Sequence, residues 1–257
     1  MTTVGSLHDK VVVITGAGRG QGLEELRKVA EEGGVPVAID QDLGEEARTL
    51  AAITLQGDVS DAQTWAGIAG EIERAYGRLD GLVNNAGIGA RVPLLDVSPE
   101  TWHRALDVNL TAPLLAMQAL VPLMTSGGSV VNVGSIAGLT GMRTTAYTVS
   151  KWGLRGLSKV AANELGGRGI RVNTVLPGYV DTPLVRQNPE SFLRASLTQI
   201  PLGRVGLTTD VAPLVAFLLS EDAGWITGAE IVVDGGQMSH GGTRLLVGPF
   251  DKDGDTP

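Results

Sequence analysis

The chain has 257 residues, 43% of them hydrophobic, with 36 glycines and a formal net charge of −8. That length suits one large α/β domain with a full core, and the acidic balance argues against nucleic acid or an anionic membrane as a partner. The absence of cysteine excludes a disulfide scaffold, thiolate chemistry and cysteine-ligated metal, and agrees with a reducing, cytoplasmic setting.

The opening MTTVGSLHDK has no basic segment followed by an apolar run, so no secretory signal is expected. No window approaches eighteen consecutive apolar residues, so no transmembrane helix is expected. Residues 10–15 are the first strand-like run and lead into the turn TGAGRGQG, then into the helical pattern LEELRKVAEEGG. Gly16, Gly20 and Gly22 permit a tight turn and let backbone amides approach a pyrophosphate, while the following helix offers its positive end. Leu23, Leu26 and Ala30 give that helix an apolar stripe, and Glu24 and Glu25 fall in its first turn, near where an anionic group would sit. A second strand, 35–40, ends on Asp40, eighteen positions after Gly22. A carboxylate there accepts hydrogen bonds from ribose hydroxyls and repels a 2′-phosphate, so NAD is favoured over NADP. Arg19, inside the turn, speaks for NADP instead.

Further strand-like runs lie at 53–57, 79–84, 129–135, 171–176 and 230–234, and helical patterns at 61–76, 99–124, 146–166 and 208–219. Uniformly apolar strands are covered on both faces, which implies a mostly parallel sheet; their alternation with helices implies a doubly wound α/β fold with helices on both faces. No linker divides the chain, so residues 1–257 read as a single domain, with 241–257 as a solvated tail. His8, His103 and His240 lack metal-ligand spacing, so no metal is expected. Ser135 lacks a glycine two residues on and fails the hydrolase nucleophile pattern.

Tyr147 and Lys151 stand four residues apart in AYTVSK, one helical turn, with Ser135 twelve residues before the tyrosine. A free tyrosine, with a pKa of about 10, is a poor acid–base catalyst at neutral pH, and a neighbouring ammonium favours its phenolate.

Taken in order, these motifs resemble the short-chain dehydrogenase/reductase family over residues 10–236. TGAGRGQG resembles the family's glycine-rich turn, Asp58-Val59 its adenine-contacting pair, and NNAG, with Asn85, Ala86 and Gly87, its fourth-strand motif. Asn109, Ser135, Tyr147 and Lys151 align with its catalytic tetrad, and Pro177, Gly178, Val180 and Thr182 in LPGYVDTP with the segment holding the nicotinamide carboxamide. The chain departs from the family at Gln21, commonly isoleucine, in a short connection from Asp40 to Asp58, and in a link from Ser135 to Tyr147 one residue shorter than is common.

The resemblance implies a Rossmann fold and hydride transfer between a nicotinamide and a carbonyl or secondary alcohol. Tyr147 would exchange a proton with the substrate oxygen and Ser135 would hydrogen-bond that oxygen. Lys151 would lower the tyrosine pKa and hold the nicotinamide ribose, while Asn109 would hold a relay water. Residues 184–203 would form a substrate lid, and Gly141, Met142 and Leu184 would line the pocket. The helix SKWGLRGLSK and the run ITGAEIVVDGG resemble bacterial hydroxysteroid dehydrogenases within the family, which implies a hydrophobic or cyclic ketone or alcohol. A 3-oxoacyl thioester reductase using NADPH and a non-catalytic NAD-binding sensor are the alternatives. The family resemblance also implies a homotetramer built through the helices at 99–124 and 146–166.

Overall fold

The computed structural model describes residues 6–242. Seven strands form one parallel sheet: β1 Val11–Thr15, β2 Val35–Asp40, β3 Ile53–Gln56, β4 Leu79–Asn84, β5 Met124–Val133, β6 Arg171–Pro177 and β7 Glu230–Val233, in the order β3-β2-β1-β4-β5-β6-β7. The order reverses between β1 and β4, and in a doubly wound sheet the crevice at that switch point is where a ligand sits.

The helices are α1 Gly20–Glu31, α2 Glu45–Leu50, α3 Ala62–Tyr76, α4 Pro99–Leu106, α5 Ala112–Leu120, α6 Thr145–Leu165, α7 Glu190–Gln199 and α8 Thr208–Leu219. Alternate side chains of the strands feed two separate cores, because successive residues of a strand point to opposite faces. Val11, Val13, Val37 and Ile39 face one core with Trp65, Ile68 and Ile72 of α3 and Ala116 and Leu120 of α5. Val12, Ile14 and Ala38 face the other, with Leu26 and Val29 of α1 and Val211 and Val215 of α8. The expected α/β sheet covered on both faces is therefore present.

Local chemistry sets several boundaries. Asp61 caps α3 by accepting from Gln63 N at 2.9 Å, and Gly77 closes it with φ of 65°. Ser98 caps α4 through Thr101 N at 3.2 Å, with Pro99 in the first turn, where its missing N–H costs nothing. The short stretch after Asp40 yields only the six residues of α2.

Three expectations need correction. The helix expected over 99–124 is interrupted by a π-helical turn, Asp107–Thr111, and Met124 already belongs to β5. Ser135 lies beyond the end of β5 and not within it, because the chain leaves the sheet at Gly134 and forms a 3₁₀ turn at Ile136–Gly138. Helix α1 starts at Gly20, so Glu24 and Glu25 fall in its second turn; its buried face is Gly22, Glu25, Leu26 and Val29, rotated from the expected stripe so that Glu25 points inward. Residues Pro99–Leu123 have the length and mean hydropathy, 1.3, of a membrane span, but their inner face packs on the sheet as a core helix. Most of the tail expected over 241–257 lies outside the described residues.

Candidate active site

At the switch point a cleft of about 590 Å³ opens along the carboxyl ends of the strands. Its lining includes Gly16, Arg19, Gly20, Asp40, Asp58, Val59, Asn85, Ala86, Gly87, Ser135, Tyr147, Lys151, Pro177, Gly178, Val180, Thr182 and Leu184. Residues between Gly16 and Gln187 thus meet in one place.

The glycine turn is built for close backbone approach. Gly16 and Gly20 have φ of 68° and 59°, a region side chains avoid. Gly18 donates its N–H to Asp40 Oδ2 at 2.9 Å, and a Cβ on Gly18 would stand 2.0 Å from the Asp42 carbonyl. Gly22 does not line the cleft; a Cβ there would lie 2.2 Å from Gly16 O, so its role is to let α1 press on the turn. The NNAG segment is bolted to the same turn: Asn85 Nδ2 donates to Thr15 O at 3.0 Å, and the Asn85 and Ala86 N–H groups both donate to Thr15 Oγ1 at 3.0 Å.

Asp40 ends β2 at the rim, its second oxygen accepting from Asp42 N at 3.1 Å. Arg19 lines the same cleft, exposed, and its side chain makes no capping bond to α1. Asp58 is fixed by Ser60, whose Oγ donates at 2.7 Å, and by Arg104 Nη2 at 3.0 Å. Although partial burial pushes its pKa upward, the Ser60 and Arg104 bonds outweigh that and hold the carboxyl below the usual range. Arg104 lines the cleft but no signal in the sequence pairs it with a carboxylate 46 residues earlier. The residues fit a dinucleotide: open backbone at a helix N-terminus for phosphates, and a rim carboxylate for ribose hydroxyls.

At the far end stand Ser135, Tyr147 and Lys151. Ser135 Oγ accepts from Ala137 N at 3.1 Å, which anchors the turn after β5, and both Ser135 and Tyr147 line the cleft. Tyr147 is half-buried in the cleft wall. Burial pushes its pKa up, and the Ser135 hydroxyl only partly opposes that rise. The expected lowering by Lys151 is not seen: the tyrosine pKa is raised. Lys151 Nζ lies 5.8 Å from the tyrosine ring centroid and donates to Val133 O at 2.8 Å. Burial lowers Lys151 itself to about 8.

Asn109 sits in the π turn. Its Oδ1 accepts from Ile88 N at 2.9 Å, and its Nδ2 donates to Ile88 O and Ser150 Oγ, both at 3.0 Å. The side chain thus reaches the strand-β4 loop and α6 rather than the cleft, yet it comes close to Lys151: a Cβ on Gly87 would lie 3.3 Å from Asn109 Oδ1 and 3.6 Å from Lys151 Nζ. Of the expected pocket residues, Leu184 lines the cleft and packs on Gly89, and Arg91 Nη2 ties the Leu184 carbonyl at 2.6 Å. Gly141 and Met142 are exposed and stand outside the lining, because their loop turns away to solvent before α6 begins.

Comparison with known proteins agrees with this architecture. Residues 10–238 match the sequence model of the family described as enoyl-(acyl carrier protein) reductase. A trans-4-hydroxycyclohexanecarboxylate dehydrogenase of Sinomonas cyclohexanicum is 38% identical, the match covering 92% of this chain and 95% of that protein. A 3-alpha-(or 20-beta)-hydroxysteroid dehydrogenase of Mycobacterium bovis is also 38% identical, over 91% of this chain and 92% of its own. A 3-oxoacyl-acyl-carrier-protein reductase of Thermotoga maritima is 36% identical, over 90% and 98%. A dehydrogenase/reductase of known structure from Sinorhizobium meliloti superposes with a TM-score of 0.86 at 30% identity, covering 90% of this chain and 96% of its own. The chain belongs to the short-chain dehydrogenase/reductase family. It is an oxidoreductase of alcohols and ketones that works with a nicotinamide cofactor.

Proposed function

We propose that this protein transfers hydride between NAD(H) and a hydrophobic, cyclic secondary alcohol or its ketone. The observation that carries this reading is the convergence of Ser135, Tyr147 and buried Lys151 on one cleft with a rim carboxylate, Asp40. The nicotinamide ring, when bound, supplies or accepts the hydride. Tyr147 then exchanges the proton at the substrate oxygen, and Ser135 donates a hydrogen bond to that oxygen as charge develops on it. Lys151 carries a positive charge toward the ribose and the phenolate, and Asn109 holds the loop and helix that frame it. Arg19, Gly16 and Gly20 receive the pyrophosphate; Asp58 and Val59 hold the adenine end; Pro177, Gly178, Val180 and Thr182 hold the carboxamide.

NAD is preferred because the carboxylate of Asp40 opposes a 2′-phosphate, even with Arg19 near. A cyclic substrate is supported by relatives named for hydroxycyclohexanecarboxylate, hydroxysteroid and cyclohexanol. The apolar side chains of Ile88, Leu184 and Val185 on the lining also suit one. Residues 184–203, which include α7, act as the lid. A homotetramer is supported by exposed Leu114, Val149, Trp152 and Val160 along α5 and α6.

Purified protein assayed with NAD and NADP against a panel of cyclic alcohols and 3-oxoacyl thioesters tests the reading. Tyr147→Phe should lose hydride transfer almost entirely while still binding cofactor. Activity within a few-fold of wild type would remove Tyr147 as the proton donor, and preference for a thioester with NADPH would favour the reductase alternative.

A further inference from the structure

One ionisable group beside the cleft has no part in the reaction as described. Glu25 lies on the inner face of α1, 1% exposed, one turn beyond Gly22 and level with Leu26. Its Oε1 accepts from Gln21 Nε2 at 3.0 Å, while its Oε2 is buried with no hydrogen-bond partner. Gln21 is itself on the cleft wall, and its neighbour Gly20 approaches the carboxamide segment: a Cβ there would lie 3.2 Å from Pro183 and 3.7 Å from Thr182. A polar couple four residues long therefore runs from the cofactor cleft into the apolar core.

An ionised carboxylate with one oxygen unsatisfied in such a place is costly, so the neutral acid is the form the fold favours. Burial, opposed in part by the Gln21 bond, pushes Glu25 up to about 8. The elements packed against α1 are α8, α2, β1 and β2. Asp210 of α8 is paired with Arg204, and Glu46 of α2 with Arg27, which also binds Glu24. Arg48 of α2 donates to Leu43 O, Glu45 in the first turn of α2 is exposed, and Asp40 of β2 is taken by Gly18 and Asp42. On α1, Lys28 pairs with Glu32 and Glu31 is exposed; β1 has no titratable side chain.

We propose that Glu25 is a proton-carrying positioning residue for the cofactor: the dinucleotide binds with this carboxyl protonated, and ionisation of Glu25 weakens binding. This rests on the cofactor seat proposed above. The pyrophosphate would lie at the start of α1, about five residues of helical rise, or ~7.5 Å, from Glu25. At that separation repulsion between two unit charges is worth more than about tenfold in affinity. Binding should therefore draw one proton from solvent onto Glu25 wherever the free chain has released it.

Adenosine diphosphate is the probe, since it carries the pyrophosphate but stops short of Lys151, which titrates in the same range. Its affinity for the full chain is measured by calorimetry between pH 7.5 and 9.5, in buffers of different ionisation enthalpy. The wild type should weaken by about tenfold or more across that range and take up a proton on binding. Glu25→Gln, near-isosteric with the neutral acid, should show a flat affinity and no uptake, as should Gln21→Ile/Glu25→Ile. A flat wild-type profile, or a slope that survives in these variants, overturns the proposal. Failure of both adenosine diphosphate and NAD to bind at any pH overturns the cofactor seat and this proposal with it. Binding without proton uptake overturns the role of Glu25 alone.

Discussion

Lys151→Met should make this protein more stable and inactive at once. Burial takes Lys151 from its ordinary 10.5 to about 8, which means the folded state resists the charge the lysine carries at neutral pH. The resulting cost is full below pH 8, where folded and unfolded chains are both protonated, and fades as pH rises toward 10.5, where both are neutral. That displacement corresponds to about 3–4 kcal/mol at pH 7 and about 2 kcal/mol at pH 9. Methionine fills the space of the lysine stem but loses the 2.8 Å bond to Val133 O, a loss of about 1.5 kcal/mol. The variant should thus gain about 2 kcal/mol at pH 7, or about 4–8 °C in melting temperature, and only about 0.5 kcal/mol at pH 9. Hydride transfer should fall by at least about a hundredfold. Calorimetric melting of the cofactor-free proteins at both pH values measures the gap. A variant less stable than wild type at pH 7, or a gap that does not narrow by pH 9, would refute burial as the cause of the Lys151 shift.

Asp40→Ala removes the charge opposing a 2′-phosphate and leaves Arg19 to receive it, so the ratio of kcat/KM for NADP to that for NAD should rise by at least about tenfold. Steady-state kinetics with both cofactors measure it, and a change under twofold would show that Asp40 does not discriminate. Asn109→Ala strips partners from the Ile88 N–H and carbonyl and from Ser150 Oγ, and should destabilise the fold by about 2–4 kcal/mol. Urea unfolding reads this directly, and a loss under about 1 kcal/mol would mean the loop repairs its own bonds.

Most of the architecture was legible because it is written in local patterns. The uniformly apolar run Val11–Thr15, the apolar stripes of the helices and the glycines of the turn act within a few residues of themselves. The spacing of Tyr147 and Lys151 is likewise fixed by one turn of α6. The π turn at Asn109 escaped the sequence because its reason is a set of bonds to Ile88 and Ser150, on other elements. Gly141 and Met142 lie exposed and outside the cleft lining for a similar cause: a family resemblance gives the place of their loop in the chain but not its direction in space.

By itself the sequence determined which elements form and which residue types could meet at the crevice, since periodicity, turn chemistry and helical spacing are short-range. Tertiary structure decided the electrostatics. Arg104 reaches Asp58 only across the fold, Lys151 bonds Val133 on a strand eighteen residues away, and Glu25 turns inward beneath the cofactor cleft. Charge in a protein is governed by how much water each group loses and what replaces it, and that depends on neighbours brought together from distant parts of the chain.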